Sequence, residues 1–252
     1  MLITGSKNRS QIDAMRTGGK ILATIFQEIR QFVEVGISER EIDNFTAGRI
    51  KHYGATPTYR EASVNFPGVI CISTNSQVVH AIPTDYVLKK GDLVSFDMVI
   101  TYQGMRTDSG FSVVVGEQPS GDKKRLIDFT EQALKAGIEA IHGPTRVGDI
   151  SGAVEKVLRE GKLGIVRELV GHGVGFEMHM PPDVPNYGRK GKGPLLLPGD
   201  TIAIEPITTL GGEAIFQLDD GWTVVTKDGS LSAYAEHTVL VTDDSVEVLT
   251  QL

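Results

Sequence analysis

The chain has 252 residues, of which 40% are hydrophobic and 23% charged, and a formal net charge of −7. That length can carry a sizeable core, as one large domain or two small ones. The acidic balance argues against a nucleic-acid-binding surface, since the one basic run, Arg189-Lys190-Gly191-Lys192, is short. The single cysteine, Cys71, excludes an internal disulfide and fits a reducing compartment. No run of about 18 apolar residues occurs, and the start MLITGSKNRS lacks a signal-peptide core, so a cytoplasmic protein with no membrane partner is expected.

In chain order, Ser10 is placed to cap a helix over 11–32, with Ile12, Met15, Leu22, Ile25, Phe26 and Ile29 at mostly helical spacing. Ser38-Glu39-Arg40-Glu41 is a capping-box pattern that opens a second helix ending near Tyr53-Gly54. An irregular stretch, 55–67, holds Pro57, Tyr59, Phe66 and Pro67; a short strand over 69–73 follows and contains Cys71. Val78-Val79-His80 comes after a turn at Asn75-Ser76, and Lys89-Lys90-Gly91-Asp92 is a tight turn.

That turn feeds a hairpin of two alternating runs, 94–101 and 106–115, around Tyr102-Gln103-Gly104. A turn centred between Tyr102 and Gln103 places Asp97 directly opposite Asp108, with Cβ atoms roughly 4.5–5.5 Å apart. Two ionised carboxylates at that separation repel, so a positive charge is expected between them.

Helices are expected over 122–142, broken by Gly143-Pro144, and over 147–160. The segment GHGVGFEMH and a Pro/Gly-rich loop, 181–194, precede LLLPGDTIAIEPIT. A twisted run of strands then turns at Gly211-Gly212, Asp219-Asp220-Gly221 and Lys227-Asp228-Gly229 before a last strand, 234–242, with Glu236 and His237.

The second half repeats the first. VLKKGDLVSFDMVI and LLLPGDTIAIEPIT lie 108 residues apart, and the same spacing lays VEVGISEREI over IHGPTRVGDI. Asp97 falls over Glu205, and Asp108 is read as the counterpart of Glu236. Two such halves about a pseudo-twofold axis bring four carboxylates to one centre, on strands that are otherwise apolar. Buried acids need basic partners or cations. Lys and Arg are scarce nearby, with only Arg106 close in sequence, which favours cations.

His172 is the natural nitrogen donor, within Gly171-His172-Gly173-Val174-Gly175, where glycines let the backbone approach a crowded centre. A satisfied core histidine is the ordinary alternative. The segment is not GxGxxG, and no clear strand, loop and helix frame it as a phosphate loop. Two divalent cations at such an oxygen-rich site suit hydrolysis, and the donors suit Mn, Fe or Co.

These residues resemble the type I bacterial form of methionine aminopeptidase, in the pita-bread metallopeptidase superfamily. The likeness covers essentially the whole chain and is strongest in CISTNSQVVHAIP, VSFDMVI, TDSGFS, GHGVGFEMHMPP, PGDTIAIEP, DGWTVVTKDGSLSA and EHTVLVT. It implies an α+β pita-bread fold: duplicated halves of about 1–120 and 121–252 in one catalytic domain, with a central antiparallel sheet backed by helices. It implies metal ligation by Asp97, Asp108, His172, Glu205 and Glu236, with Asp108 and Glu236 bridging two ions (Co, Mn, Fe, Ni or Zn). It makes Glu205 the general base, gives His80 and His179 the substrate and its tetrahedral intermediate, and lines a methionine pocket with Phe66, Cys71, Met178 and Trp222.

The implied activity is removal of the initiator methionine from nascent polypeptides whose second residue is small, by a monomer that works near the ribosome exit region. An Xaa-Pro peptidase of the same fold is the nearest alternative, disfavoured because only about ninety residues precede the first ligand strand. A metal-free binding relative is disfavoured by the complete ligand set. Departures from the family pattern are Ala81 after His80, Ser109 after Asp108, Phe66, Met178 and the FQLDDGW segment before Trp222.

Overall fold

The computed structural model describes residues 2–252. Helix α1, Arg9–Phe32, is capped by Asn8 rather than Ser10: the Asn8 side chain accepts from the Gln11 backbone at 2.9 Å, and the Gln11 side chain accepts from the Asn8 N–H at 2.9 Å. This reciprocal box satisfies two of the helix's free amides, which Ser10, already inside the helix, cannot do. Helix α2, Glu39–His52, opens on the expected Ser38/Glu41 box. Helices α3, Gly121–Glu139, and α4, Val147–Glu160, complete the set, with α3 ending three residues short of the expectation.

One antiparallel nine-stranded sheet organises these helices. Its central path runs Thr56–Pro57, Leu93–Tyr102, Met105–Val114, Glu236–Val241, Thr201–Ile204, Gly171–Gly173 and Met180–Val184. Cys71–Thr74 also pairs with Leu93–Tyr102, and Val246–Val248 with Glu236–Val241. Alternation along each strand separates two faces. Val94, Phe96, Met98 and Ile100 turn to the helices and pack with Leu22, Ile25, Ile29 and Ile42 from α1 and α2. In the second half, Ile202, Ile204, Val239 and Val241 pack with Leu126, Leu134, Ile150 and Val154 from α3 and α4. The acids occupy the other face.

The halves correspond closely. Glu39–His52 and Val147–Glu160 are both 14 residues long and start 108 residues apart. Thr56–Pro57 answers Gly164–Ile165 at the same spacing, and the Ser38–Val87 bridge answers the Arg146–Leu195 pair. The turn aspartates match as well: Asp92 accepts from Lys89 N at 2.8 Å and Asp200 from Leu197 N at 2.9 Å. The second half is longer between its paired strands, and the excess holds the hairpin Ile215–Gln217 and Val224–Thr226, which pairs back onto Gln77–Val79.

Two register expectations are corrected. The hairpin closes through Gln103 and Gly104, both at positive φ (49° and 78°), between the paired residues Tyr102 and Met105. Such a two-residue turn matches the twist of the strands. Its centre lies one residue later than expected, so Asp97 faces Gly110 and Asp108 faces Val99. The two aspartates remain on one face as diagonal neighbours. The second correction follows from pairing: Thr201 opposite Leu240 matches Leu93 opposite Val114, which makes Glu236 the counterpart of Gly110 rather than of Asp108.

The last strand, expected as one run over 234–242, is broken at Ala235. Ser232–Tyr234 pairs with Ile207–Thr209, whereas Glu236–Val241 joins the main sheet. A matching break at Glu205-Pro206 separates Thr201–Ile204 from Ile207–Thr209, since proline has no N–H to continue the ladder.

Gly110 is a crowded point of the main sheet: a Cβ there would lie 2.3 Å from Tyr234 Cε1 and 2.7 Å from the Phe96 carbonyl oxygen. A backbone oxygen inside a sheet has no room to yield. Gly110→Ala is therefore expected to destabilise the fold by about 1–3 kcal/mol or more, read as a lower urea midpoint at unchanged slope; a midpoint equal to wild type refutes the reading.

Candidate metal centre and cleft

The pairing registers set one row across the sheet. Cys71 lies opposite Asp97, Asp97 opposite Gly110, and Gly110 opposite Glu236. The Ile204–His237 pair then puts Glu205 beside Glu236. Asp108 stands two residues along its strand from Gly110, on the same face as Asp97. His172 comes from the neighbouring strand Gly171–Gly173, which pairs with Thr201–Ile204. All five expected donors therefore converge, and all are buried. One donor atom from each of Asp108, His172 and Glu236 lies within 4.8 Å of the other two.

Burial, and then mutual repulsion, raise the pKa of Asp108, Glu205 and Glu236 well above the carboxylate range. Burial brings Asp97 up to about 6, partly offset by hydrogen bonds from Tyr59 and Cys71. Among the described residues no lysine or arginine forms an ion pair with these four acids; the one basic side chain beside them is His172, 3.6 Å from Asp108 and from Glu205. The Gly173 carbonyl can only accept, so His172 Nδ1, 3.0 Å away, carries the proton. Nε2 therefore turns its lone pair toward Asp108 Oδ2 and Glu205 Oε1, each 3.6 Å away. Burial and the nearby His179 lower the His172 pKa to about 3, so the ring is neutral. Asp108 Oδ1 and Glu236 Oε1 are buried without any hydrogen-bond partner. Lone pairs facing lone pairs, with two orphaned oxygens, are the donor chemistry that hard or intermediate divalent cations satisfy.

Asp97, Asp108, His172 and Glu205 form one wall of a cavity of about 920 Å³. Its other walls include Phe66, Cys71, Met178 and Trp222, which pack in one apolar cluster with Tyr59 and Val99. Phe66 and Trp222 meet edge to face with centroids 5.2 Å apart. Burial holds the Cys71 thiol well above its usual pKa, so it presents S–H rather than thiolate. His80 and His179 also line the cavity. His80 ends its strand at φ 56°, a left-handed conformation uncommon outside glycine and often found at functional sites. Burial and His179 lower its pKa to about 4. The His179 ring stands edge-on to His172, centroids 4.3 Å apart, and partial burial lowers its pKa although its outer edge reaches solvent.

Two residues absent from the sequence expectations complete the centre. Tyr59 and Tyr234 donate their hydroxyls to the acids of the row. An aromatic two residues after a proline, and another in an alternating strand, both read as core; only their hydroxyls set them apart. Among the departures, Ser109 points to the helix side and donates to the Glu236 carbonyl at 2.8 Å, tying the two hairpins together. His237 is hydrogen-bonded to Thr250 at 2.8 Å, away from the row.

The sequence pattern of metallopeptidase family M24 matches residues 13–243, a span holding all five donors. The chain belongs to metallopeptidase family M24. Methionine aminopeptidase of Clostridium perfringens is 40% identical over 97% of each chain. The crystal structure of methionine aminopeptidase from Thermotoga maritima superimposes with a TM-score of 0.95 at 34% identity, covering 100% of both chains. Prolidase from Pyrococcus furiosus, at 22% identity and a TM-score of 0.77, covers 98% of this chain and 65% of that one, a likeness of fold alone. The M24 chain thus has the expected α+β pita-bread architecture. Among the described residues of this M24 protein, no helix is long and apolar enough to cross a membrane.

Asp97 gives the M24 centre a pH signature. Its pKa rises from 3.8 to about 6 on folding, so it favours the metal-free fold below about pH 4, and that stability is lost as pH rises through 6. Asp97→Asn removes the titration. In chelator the variant should melt with wild type at pH 4 and a few degrees above it at pH 7, the gap opening through about pH 6. A gap independent of pH refutes this account.

Proposed function

We propose that the chain is a metal-dependent methionyl aminopeptidase that removes N-terminal methionine when the second residue is small. The observation that carries the reading is the meeting of five buried donors, two with orphaned oxygens, at the wall of an apolar cleft. Asp97, Asp108, His172, Glu205 and Glu236 would hold two divalent ions, with Co, Mn, Fe, Ni and Zn as candidates. Bound there, such ions supply Lewis acidity, polarising the scissile carbonyl and lowering the pKa of water.

The chain's own groups do the rest. Phe66, Cys71, Met178 and Trp222 take the unbranched thioether, whose polarisable sulfur suits aromatic and thiol walls. His80 and His179 are neutral and offer N–H donors to the carbonyl oxygen as negative charge develops. Glu205 accepts the proton of the attacking water and passes it to the departing amine. The substrates are then N-terminal methionyl peptides and nascent chains near the ribosome, the enzyme working as a cytoplasmic monomer. The same reading treats 1–252 as one catalytic unit.

The test is hydrolysis of Met-Ala-Ser after chelation and stepwise return of Mn²⁺ or Co²⁺. Activity should vanish and recover, Leu-Ala-Ser should be cleaved far more slowly, and Xaa-Pro dipeptides not at all. Metal-independent cleavage, or equal rates for the leucyl peptide, refutes the assignment. His179→Ala should lower kcat by roughly 10²–10³ with a smaller change in KM; a pure KM effect removes His179 from the reacting centre.

A further inference from the structure

Two phenol hydroxyls reach the carboxylate row from different elements. Tyr59, in the short helical turn Thr58–Arg60, donates to Asp97 Oδ2 at 2.9 Å. Tyr234, at the end of Ser232–Tyr234, donates to Glu236 Oε2 at 2.8 Å and lies 3.3 Å from Glu205 Oε2. Both side chains are built in. The Tyr59 ring meets Phe66 edge to face with centroids 5.3 Å apart. The Tyr234 ring occupies the space left by the absent side chain of Gly110, and its backbone N–H and C=O are both held by the Ser112 hydroxyl, at 2.9 and 2.8 Å.

Each hydroxyl takes up one oxygen of an acid. On Glu236 the engaged oxygen is Oε2, and the remaining Oε1 is one of the two orphaned atoms of the centre. On Asp97 the engaged oxygen is Oδ2. A carboxylate anchored through one oxygen cannot rotate freely, so its second oxygen points in one direction before any cation arrives. The same hydroxyl of Tyr234 lies between Glu236 and Glu205, 2.8 Å and 3.3 Å away, and so holds the two carboxyls side by side.

We propose that Tyr59 and Tyr234 are positioning residues for the metal centre, fixing Asp97 and the Glu205–Glu236 pair so that the cation sites are formed in advance. The inference rests on the metal-binding reading above. Groups that orient metal ligands typically set 10–100-fold in affinity. A merely structural phenol behaves differently, because its loss lowers stability equally with and without metal and leaves affinity alone.

The experiment uses the whole chain, wild type and the variants Tyr59→Phe and Tyr234→Phe, stripped by chelator and titrated with Mn²⁺ by calorimetry. Melting temperature is measured with and without Mn²⁺. Each variant should bind at least one Mn²⁺ roughly 10–100-fold more weakly than wild type, with a smaller Mn²⁺-induced rise in melting temperature. Wild-type affinity and stoichiometry in both variants overturns the proposal while leaving the metal reading intact. A wild-type protein that takes up no Mn²⁺ overturns both. One further measurement needs no variant: Mn²⁺ added to stripped wild type should perturb the tyrosine absorption band, since the acceptors of both hydroxyls change charge environment. An unperturbed band counts against the proposal.

Discussion

Gathering four carboxylates in one buried row is the constraint that the rest of this chain answers. Each acid loses hydration on burial, and each repels its neighbours in a low-dielectric setting. The surroundings offset this without any basic side chain. Two phenols donate to the acids, a neutral imidazole faces them with a lone pair, and the orphaned oxygens of Asp108 and Glu236 await positive charge. The site is costly by itself, and bound cations would offset that cost, tying binding energy to native geometry.

The sheet makes that unfavourable face affordable in structural terms. Its helix-facing side packs two apolar layers, one against α1 and α2 and one against α3 and α4, and this continuous burial carries the stability. Acids can then stand on the opposite face at positions fixed by pairing register. The breaks at Glu205-Pro206 and at Ala235 add a second device. They let each strand leave the main sheet just where its acid is presented, so Glu205 and Glu236 sit at corners rather than in the middle of flat ladders. The chain that continues past those corners builds the cleft wall.

The donors were legible in the sequence because they break a pattern: an acid on an apolar strand is conspicuous, and a 108-residue echo of Gly-Asp followed by alternation shows where to find its counterpart. Phe66, Cys71, Met178 and Trp222, with His80 and His179, rest on family resemblance in the sequence, and all six line one cavity. Register was not legible. The hairpin closes on a non-glycine residue at positive φ, Gln103, and nothing in its side chain announces that conformation. The first helix start was misplaced because Asn8 and Gln11 form a box less familiar than the Ser38 and Glu41 pair. Tyr59 and Tyr234 are not legible in the sequence, because a buried phenol and a buried phenyl look alike until an acceptor for the hydroxyl is known.

The added hairpin of the second half has a consequence for how such a protein can diversify. It is anchored at both ends by strands whose pairing is already fixed, and it carries Trp222 and the exposed Phe216 and Leu218 without contributing any donor to the row. Lengthening, trimming or recomposing this module alters the rim of the cleft without touching the strands that carry the acids. Selectivity can therefore drift on one part of the chain while reactivity is conserved on another, a division of labour that lets lineages explore new peptides without rebuilding the catalyst.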